Sequence, residues 1–261
     1  LGDAAILDTQ AFLDPLDAGR DLNRAALAQT FQEIATDGIF TASINHLKSK
    51  GSLSGDPLDE DQGDGAGRNN ATRTEAAREL AEWLATDPTG SGDSDVLILG
   101  DLNAYARETP ITTLEDAGYT DLARFFEGDD VYSYRFSTQI GTLDYALANQ
   151  DLFDQVTGAD TWNINSDTPV FFDYNLDDTF TGPNTLRPTD QGLFDGESPL
   201  RSSDHDPVII GLNLDPSGGQ LIDGDGANNR LNGTDYDDDI RTEGGLLGVV
   251  SGGGGSAECN F

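Results

Sequence analysis

Val96-Leu97-Ile98-Leu99-Gly100-Asp101-Leu102-Asn103-Ala104 is the stretch on which the reading of this chain turns. Four apolar residues in an unbroken run predict a strand buried on both faces. The run ends on a glycine followed by a carboxylate and a carboxamide. A carboxylate placed there is either a strand-end turn, as an isolated Asp-x-Asn usually is, or one part of a polar site assembled at the ends of several strands.

Upstream, Ile39-Phe40-Thr41-Ala42-Ser43-Ile44 is rich in β-favouring residues and predicts a second strand carrying Asn45 and His46 at its C-terminal end. Residues 21–35, with Leu22, Ala25, Ala26, Gln29 and Ile34, show helix-like spacing closed by Gly38. Between 71 and 85 the spacing of Ala76, Leu80, Trp83 and Leu84 predicts an amphipathic helix, halted by Asp87-Pro88. Residues 51–70 are dense in Gly, Asp and Asn and read as a mobile surface loop. Downstream, 110–117 reads as a short helix. Val131–Phe136, Gly141–Ala148 with Asp144 in its middle, Trp162–Ile164 and Val208–Leu214 read as strands. Strands alternating with helices, then strands in succession, predict a layered α/β sandwich over 1–215.

The chain has two histidines and two lysines, and they fall in two short segments, Asn45-His46-Leu47-Lys48-Ser49-Lys50 and Ser203-Asp204-His205-Asp206-Pro207. With the Asp101 segment, these suit phosphoester hydrolysis. That reaction needs charge neutralised on phosphoryl oxygens, a water oriented in line and a leaving oxygen stabilised, much of which a divalent metal supplies. Mg²⁺ or Mn²⁺ is the expected ion, because hard cations choose carboxylate oxygens and keep several waters. Asp101 and Asp204 are the candidate ligands. Asn103, two residues from Asp101 on an extended chain, would face the same side. An Asp inside an apolar strand is costly unless paired, and orienting the imidazole of His205 would satisfy Asp144. His46 would reach the phosphate from the other side, with Lys48, Lys50 and Arg24 supplying local positive charge. Any one of these segments alone has an ordinary structural explanation; three of them, each ending a strand, point to a site.

Composition narrows the substrate. The formal net charge is −34, a field that keeps a protein soluble and repels polyanions. Binding of DNA, or of RNA as the second candidate, therefore requires a locally basic or metal-neutralised face. Adaptation to high salt accounts for most of the acidity, since at 1 M the Debye length is about 3 Å. No apolar run is long enough for a membrane span. The single cysteine, Cys259, excludes an intrachain disulfide framework. A chain that starts at Leu1 and contains no Met reads as a fragment or processed product. No protein partner is implied.

After Pro216 the composition turns to Gly, Asp and Asn. Leu231, Ile240 and Val249 stand nine residues apart, and Asn229 and Asp238 each precede an apolar residue by two positions. This is the register of the nonapeptide calcium β-roll in degenerate form, and it makes Asn229 and Asp238 candidate Ca²⁺ ligands. A flexible acidic linker is the equal alternative for 216–261.

Taken together, Asn23-Arg24, Asn45–Ser52, Gly100–Tyr105, Gly141–Ala148 and Arg201–Val208 resemble the endonuclease/exonuclease/phosphatase superfamily, the fold of deoxyribonuclease I, and in particular the large secreted nucleases of environmental bacteria. The resemblance implies a four-layer sandwich of two β-sheets flanked by helices and a secreted, metal-dependent nuclease. It implies that His46 and His205 are the active-site histidines, with Asp144 orienting His205. Asp101 and Asn103 position water and phosphate, Asp204 helps bind metal, and Arg24, Asn45, Lys48 and Lys50 contact substrate. The superfamily's N-terminal half, with its active-site Asn and metal-binding Glu, has no counterpart here, Glu33 being a poor substitute. The sandwich is thus expected to be incomplete at the N-terminus. A phosphatase or phospholipid phosphodiesterase using the same site is the second reading, and a non-catalytic calcium-binding fragment the third.

Overall fold

The computed structural model describes residues 4–13, 22–51, 54–136, 139–168 and 202–214, together with five short strands between 221 and 260. Its centre is a six-stranded sheet in the order β1 (Ala4–Leu13), β2 (Ala26–Glu33), β3 (Ile39–His46), β4 (Val96–Asp101), β8 (Asp144–Ala148) and β5 (Thr120–Asp121). Helices α1 (Asn70–Leu84) and α2 (Thr109–Asp116) lie over one face. There Ala76, Ala77, Leu80, Ile111 and Leu114 close a core against Ala26, Ala28, Ile98 and Leu147. Each such leucine or isoleucine contributes roughly 1.5–3 kcal/mol by leaving water.

Further along run α3 (Leu122–Glu127), the hairpin of β6 (Tyr134–Phe136) and β7 (Gln139–Gly141), and α4 (Gln150–Phe153). A second, antiparallel sheet of β9 (Val156–Thr161) and β10 (Val208–Leu212) follows. It packs Val156, Ala159, Val208 and Ile210 against Leu97, Ala146 and Ala148 on the other face of the main sheet. The architecture is the expected α/β sandwich, with two strands in the second sheet among the described residues. Those strands leave part of the main sheet uncovered: Ile44, in register with Leu27 and Leu99, is 47% exposed.

The structure corrects several expectations. Residues 21–35 are not helical. Ala26, Ala28 and Thr30 are fully buried while their neighbours Leu27, Gln29 and Phe31 are half-buried, a two-residue period that pairs β2 with β1 and β3 on either side. Small alanines had satisfied the helical spacing without needing it. Asp144 opens its strand instead of sitting mid-way, and the strand expected at Trp162–Ile164 ends at Thr161. Only Tyr134–Phe136 of the expected 131–136 strand is extended and paired.

The 51–70 segment is also fastened where it is described. The carboxylate of Asp59, only 2% exposed, accepts from Thr72 N at 2.8 Å and Thr72 Oγ1 at 2.5 Å. It thereby serves the first turn of α1, whose own preceding residue Asn69 makes no side-chain cap.

In the C-terminal region, β11 (Leu221–Gly224), β13 (Asp238–Thr242) and β15 (Ala257–Asn260) pair in parallel, as do β12 (Arg230–Asn232) and β14 (Val249–Ser251). Each strand skips its sequence neighbour and pairs with the next but one. Leu231, Ile240 and Val249 each fall in a strand of this set. Asn229 lies outside the described residues, and Asp238 opens β13.

Candidate active site

Register brings the strand-end residues together. β3 and β4 run parallel with His46 opposite Asp101, and β4 and β8 run antiparallel with Asp101 opposite Asp144. His46, Asp101 and Asp144 therefore stand side by side on three adjacent strands. The close approach depends on Gly100, whose φ is +126° and whose hypothetical Cβ would lie 2.0 Å from the carbonyl oxygen of Asn45. No other residue fits there without parting β3 from β4.

His205 arrives from the loop before β10, and its Nδ1 lies 2.7 Å from Asp144 Oδ2. The same oxygen accepts from Ser133 Oγ at 2.7 Å. Ser133 is fully buried and its hydroxyl oxygen receives the main-chain N–H groups of Leu143 and Asp144 at 3.1 Å. The ring of Tyr134 lies over the imidazole, with centroids 4.4 Å apart. Burial lowers the affinity of His205 for its proton, but the hydrogen bond and charge of Asp144, with Asp101 and Asp204, outweigh it, and the pKa is raised.

His46 is arranged in the opposite sense. Arg24 donates from Nη1 to His46 Nδ1; a guanidinium has no acceptor, so this nitrogen carries the lone pair and the ring proton sits on Nε2. That Nε2 is 3.6 Å from Asp101 Oδ2. Burial first, then Arg24 and His205, lower its pKa against the opposing pull of Asp101 and Asp144. Two imidazoles thus face one small region, one offering Nε2–H and the other, with Nδ1–H engaged by Asp144, offering the Nε2 lone pair when neutral.

After Asp101 the chain turns. Asn103 is not extended but has φ +49°, and its main-chain N–H and side-chain Nδ2 return to Asp101 at 2.8 and 3.1 Å, with Nδ2 also donating to Leu47 O at 3.0 Å. Asp101 is pushed toward a higher pKa, chiefly by burial and also by Asp144, the Asn103 N–H opposing.

The donor set fits a hard divalent cation. Asp101, Asp144 and His205 are the described residues whose ligand atoms converge, all within 4.8 Å of one another. Two carboxylates held together under burial are stabilised by a nearby cation. Asp204 stands outside that group and acts on His205 through its charge.

Other expected contact residues are placed elsewhere. Asn45 is buried on the opposite face of β3 from His46, as strand alternation requires, and donates to Ser43 O at 2.9 Å. The ammonium of Lys50 is held by Glu108, by Ala66 O at 2.8 Å and by the face of Tyr105, 4.9 Å from its centroid. Its charge is matched within the protein. Beneath it the fully buried Arg73 donates to Lys48 O at 3.1 Å, Arg68 O at 2.9 Å and Ala66 O at 3.3 Å, bracing the lysine segment. The main-chain N–H of Lys48 donates to Asn23 Oδ1 at 2.7 Å. Glu33 lies at the far end of β2, where its carboxylate accepts from Thr36. Ser133, Tyr134 and Arg73 escaped the sequence reading as site residues, and Asn23 entered it only as the neighbour of Arg24; Ser133, a small polar residue among aromatics just before Tyr134, was the one visible signal.

No family model matches the chain, and no curated protein does. Among solved structures it is similar to the human Nocturnin catalytic domain (15% identity, TM-score 0.42, covering 60% of this chain and 50% of that one). It is also similar to a Bacteroides thetaiotaomicron mannosyl-6-phosphatase (14%, 0.47, 81% and 67%) and to an AP endonuclease from Archaeoglobus fulgidus (11%, 0.46, 80% and 72%). Of the Nocturnin domain and two further similar structures, the chain spans 50% to 59% of their own length.

Proposed function

We propose that the chain carries the catalytic strands of a metal-dependent phosphodiesterase acting on nucleic acid, DNA first. The observation that supports this most directly is the pair of imidazoles with opposite polarity at Nε2 beside Asp101. A phosphodiester needs a hydrogen-bond donor on its charged oxygens and a group that takes a proton from water. His46 supplies the first and the His205–Asp144 pair the second, since environments that push two pKa values apart mark such a division. Asp144 holds the tautomer and direction of His205, Asn103 fixes Asp101, and Arg24 fixes His46. Mg²⁺ or Mn²⁺, held by Asp101 with Asp144, would neutralise phosphoryl charge.

The test is plasmid nicking in high salt with Mg²⁺ or Mn²⁺, beside an EDTA control and His205→Ala. Metal-dependent nicking lost in the variant supports the reading. Turnover of a small phosphomonoester with no cleavage of DNA would instead favour a phosphatase, the reading that the net charge of −34 recommends. Inactivity toward both sinks catalysis by this chain. A separate Ca²⁺-binding role for the C-terminal strands is supported by their parallel, alternate pairing; circular dichroism unchanged by Ca²⁺ would count against it.

A further inference from the structure

Next to His205, Asp206 has a carboxylate no part of the proposed chemistry uses, yet it is only 1% exposed and bonded on all sides. Its Oδ1 accepts from the main-chain N–H groups of Asn165 at 2.7 Å and Ser166 at 3.0 Å. Its Oδ2 accepts from Asn163 Nδ2 at 2.9 Å and from Ser166 Oγ. A buried charge is tolerated when such donors converge on it, and here all of them come from one four-residue turn after β9.

That turn reaches back to the histidine. Asn165 Nδ2 donates to His205 O at 2.7 Å, and Asn165 Oδ1 accepts from Ser202 N at 3.1 Å. On the other side of the same peptide, Asp206 N donates to Ser133 O at 2.8 Å, and Ser133 Oγ donates to Asp144 Oδ2. The main chain of His205 and the carboxylate that meets its ring are therefore tied to one frame, and the Asp206 carboxylate closes it. We propose that Asp206 is a positioning residue: by organising the 163–166 turn it lets Asn165 hold the His205 main chain, and so aims the imidazole at Asp144. The proposal builds on the catalytic reading of His205, but its geometry can be read without turnover.

The chain contains two histidines, so selective ¹⁵N-histidine labelling gives a spectrum of two side chains, with His46 as internal reference. In the metal-free wild type the His205 Nδ1 proton should be protected from exchange by its bond to Asp144. Asp206→Asn keeps size and can still accept from Asn165 N and Ser166 N, but sets its Nδ2 against that of Asn163. Asn165→Ala removes the contact to His205 O while leaving Asp206 and its main-chain donors in place. In both variants the His205 Nδ1 proton should exchange faster and the His205 nitrogens shift, with His46 unchanged. If the wild type hydrolyses phosphodiesters, kcat should fall about tenfold or more at constant KM, as misaimed catalytic groups cost. An unaltered His205 signal in folded Asp206→Asn overturns the proposal, as does a shift of both histidines together, which would mean general loosening. Should Asp206→Asn fail to fold, Asn165→Ala decides on the same signals. Catalysis failing while the signals behave as expected would reject the functional reading and leave the positioning intact.

Discussion

Gly100 is where a single atom has the largest expected effect. A methyl group there meets both a backbone conformation that costs roughly 1–3 kcal/mol and the Asn45 carbonyl 2.0 Å away. Gly118 separates the two terms: its φ is +95° but nothing lies within 4 Å of its hypothetical Cβ. Gly118→Ala should lose about 1–3 kcal/mol, and Gly100→Ala clearly more, read from urea midpoints. Equal losses would show that β3 and β4 yield without cost. Asp121, which caps α3 by accepting from Arg124 N at 3.2 Å, has its second oxygen buried and unbonded. Burial raises its pKa against the pull of Arg124. A carboxyl with a raised folded pKa contributes stability below its unfolded pKa, about 3.9, and loses it as pH rises through the folded value. Asp121→Asn keeps the cap and removes the ionisation. The variant should be more stable than wild type at pH 7, with the gap closing toward pH 4; a constant gap would assign the effect to packing.

At the scale of elements, what the sequence disclosed depended on how far each determinant reached along the chain. α1 and β4 were legible because Ala76, Leu80 and Leu84, or an unbroken Val96–Leu99, state their period locally. β2 was misread because alanines fit either period, and its pairing with β3 settled the matter. His46 and Asp101 could be named as candidates because they close strands, Asp144 because a carboxylate in an apolar strand needs a partner, and His205 because histidine is scarce in this chain; the structure brings these four together. Ser133, Asn165 and Arg73 could not, since each acts on residues distant in sequence. Asp59 belongs to the same class. It ties an apparently loose segment to the first turn of α1 through Thr72, so Asp59→Ala should cost about 1–2 kcal/mol, the range of a lost helix cap. Limited proteolysis should then cut between 54 and 69 before the rest of the fold. Unchanged cleavage would show that the segment is held by other contacts.

The whole molecule carries the conflict noted in its composition. A net charge of −34 surrounds a site proposed to take an anion, and the same charges repel one another across the folded surface. Interior pairs such as Lys50–Glu108 use cations within the protein, leaving fewer to offset the carboxylates outside. Screening should relieve both problems, because the Debye length falls from about 10 Å at 0.1 M to 3 Å at 1 M. Raising NaCl over that range should therefore increase Tm by about 4 °C or more, equivalent to roughly 1–2 kcal/mol for a domain of this size. KCl at equal ionic strength should do the same, since screening depends on ionic strength and not on the cation. A rise confined to sulfate would have another cause, exclusion of the salt from apolar surface, such as that of the exposed Ile44. A Tm that ignores NaCl would mean that the carboxylates are spaced widely enough not to matter. The high-salt condition chosen for the cleavage assay would then have no basis in stability.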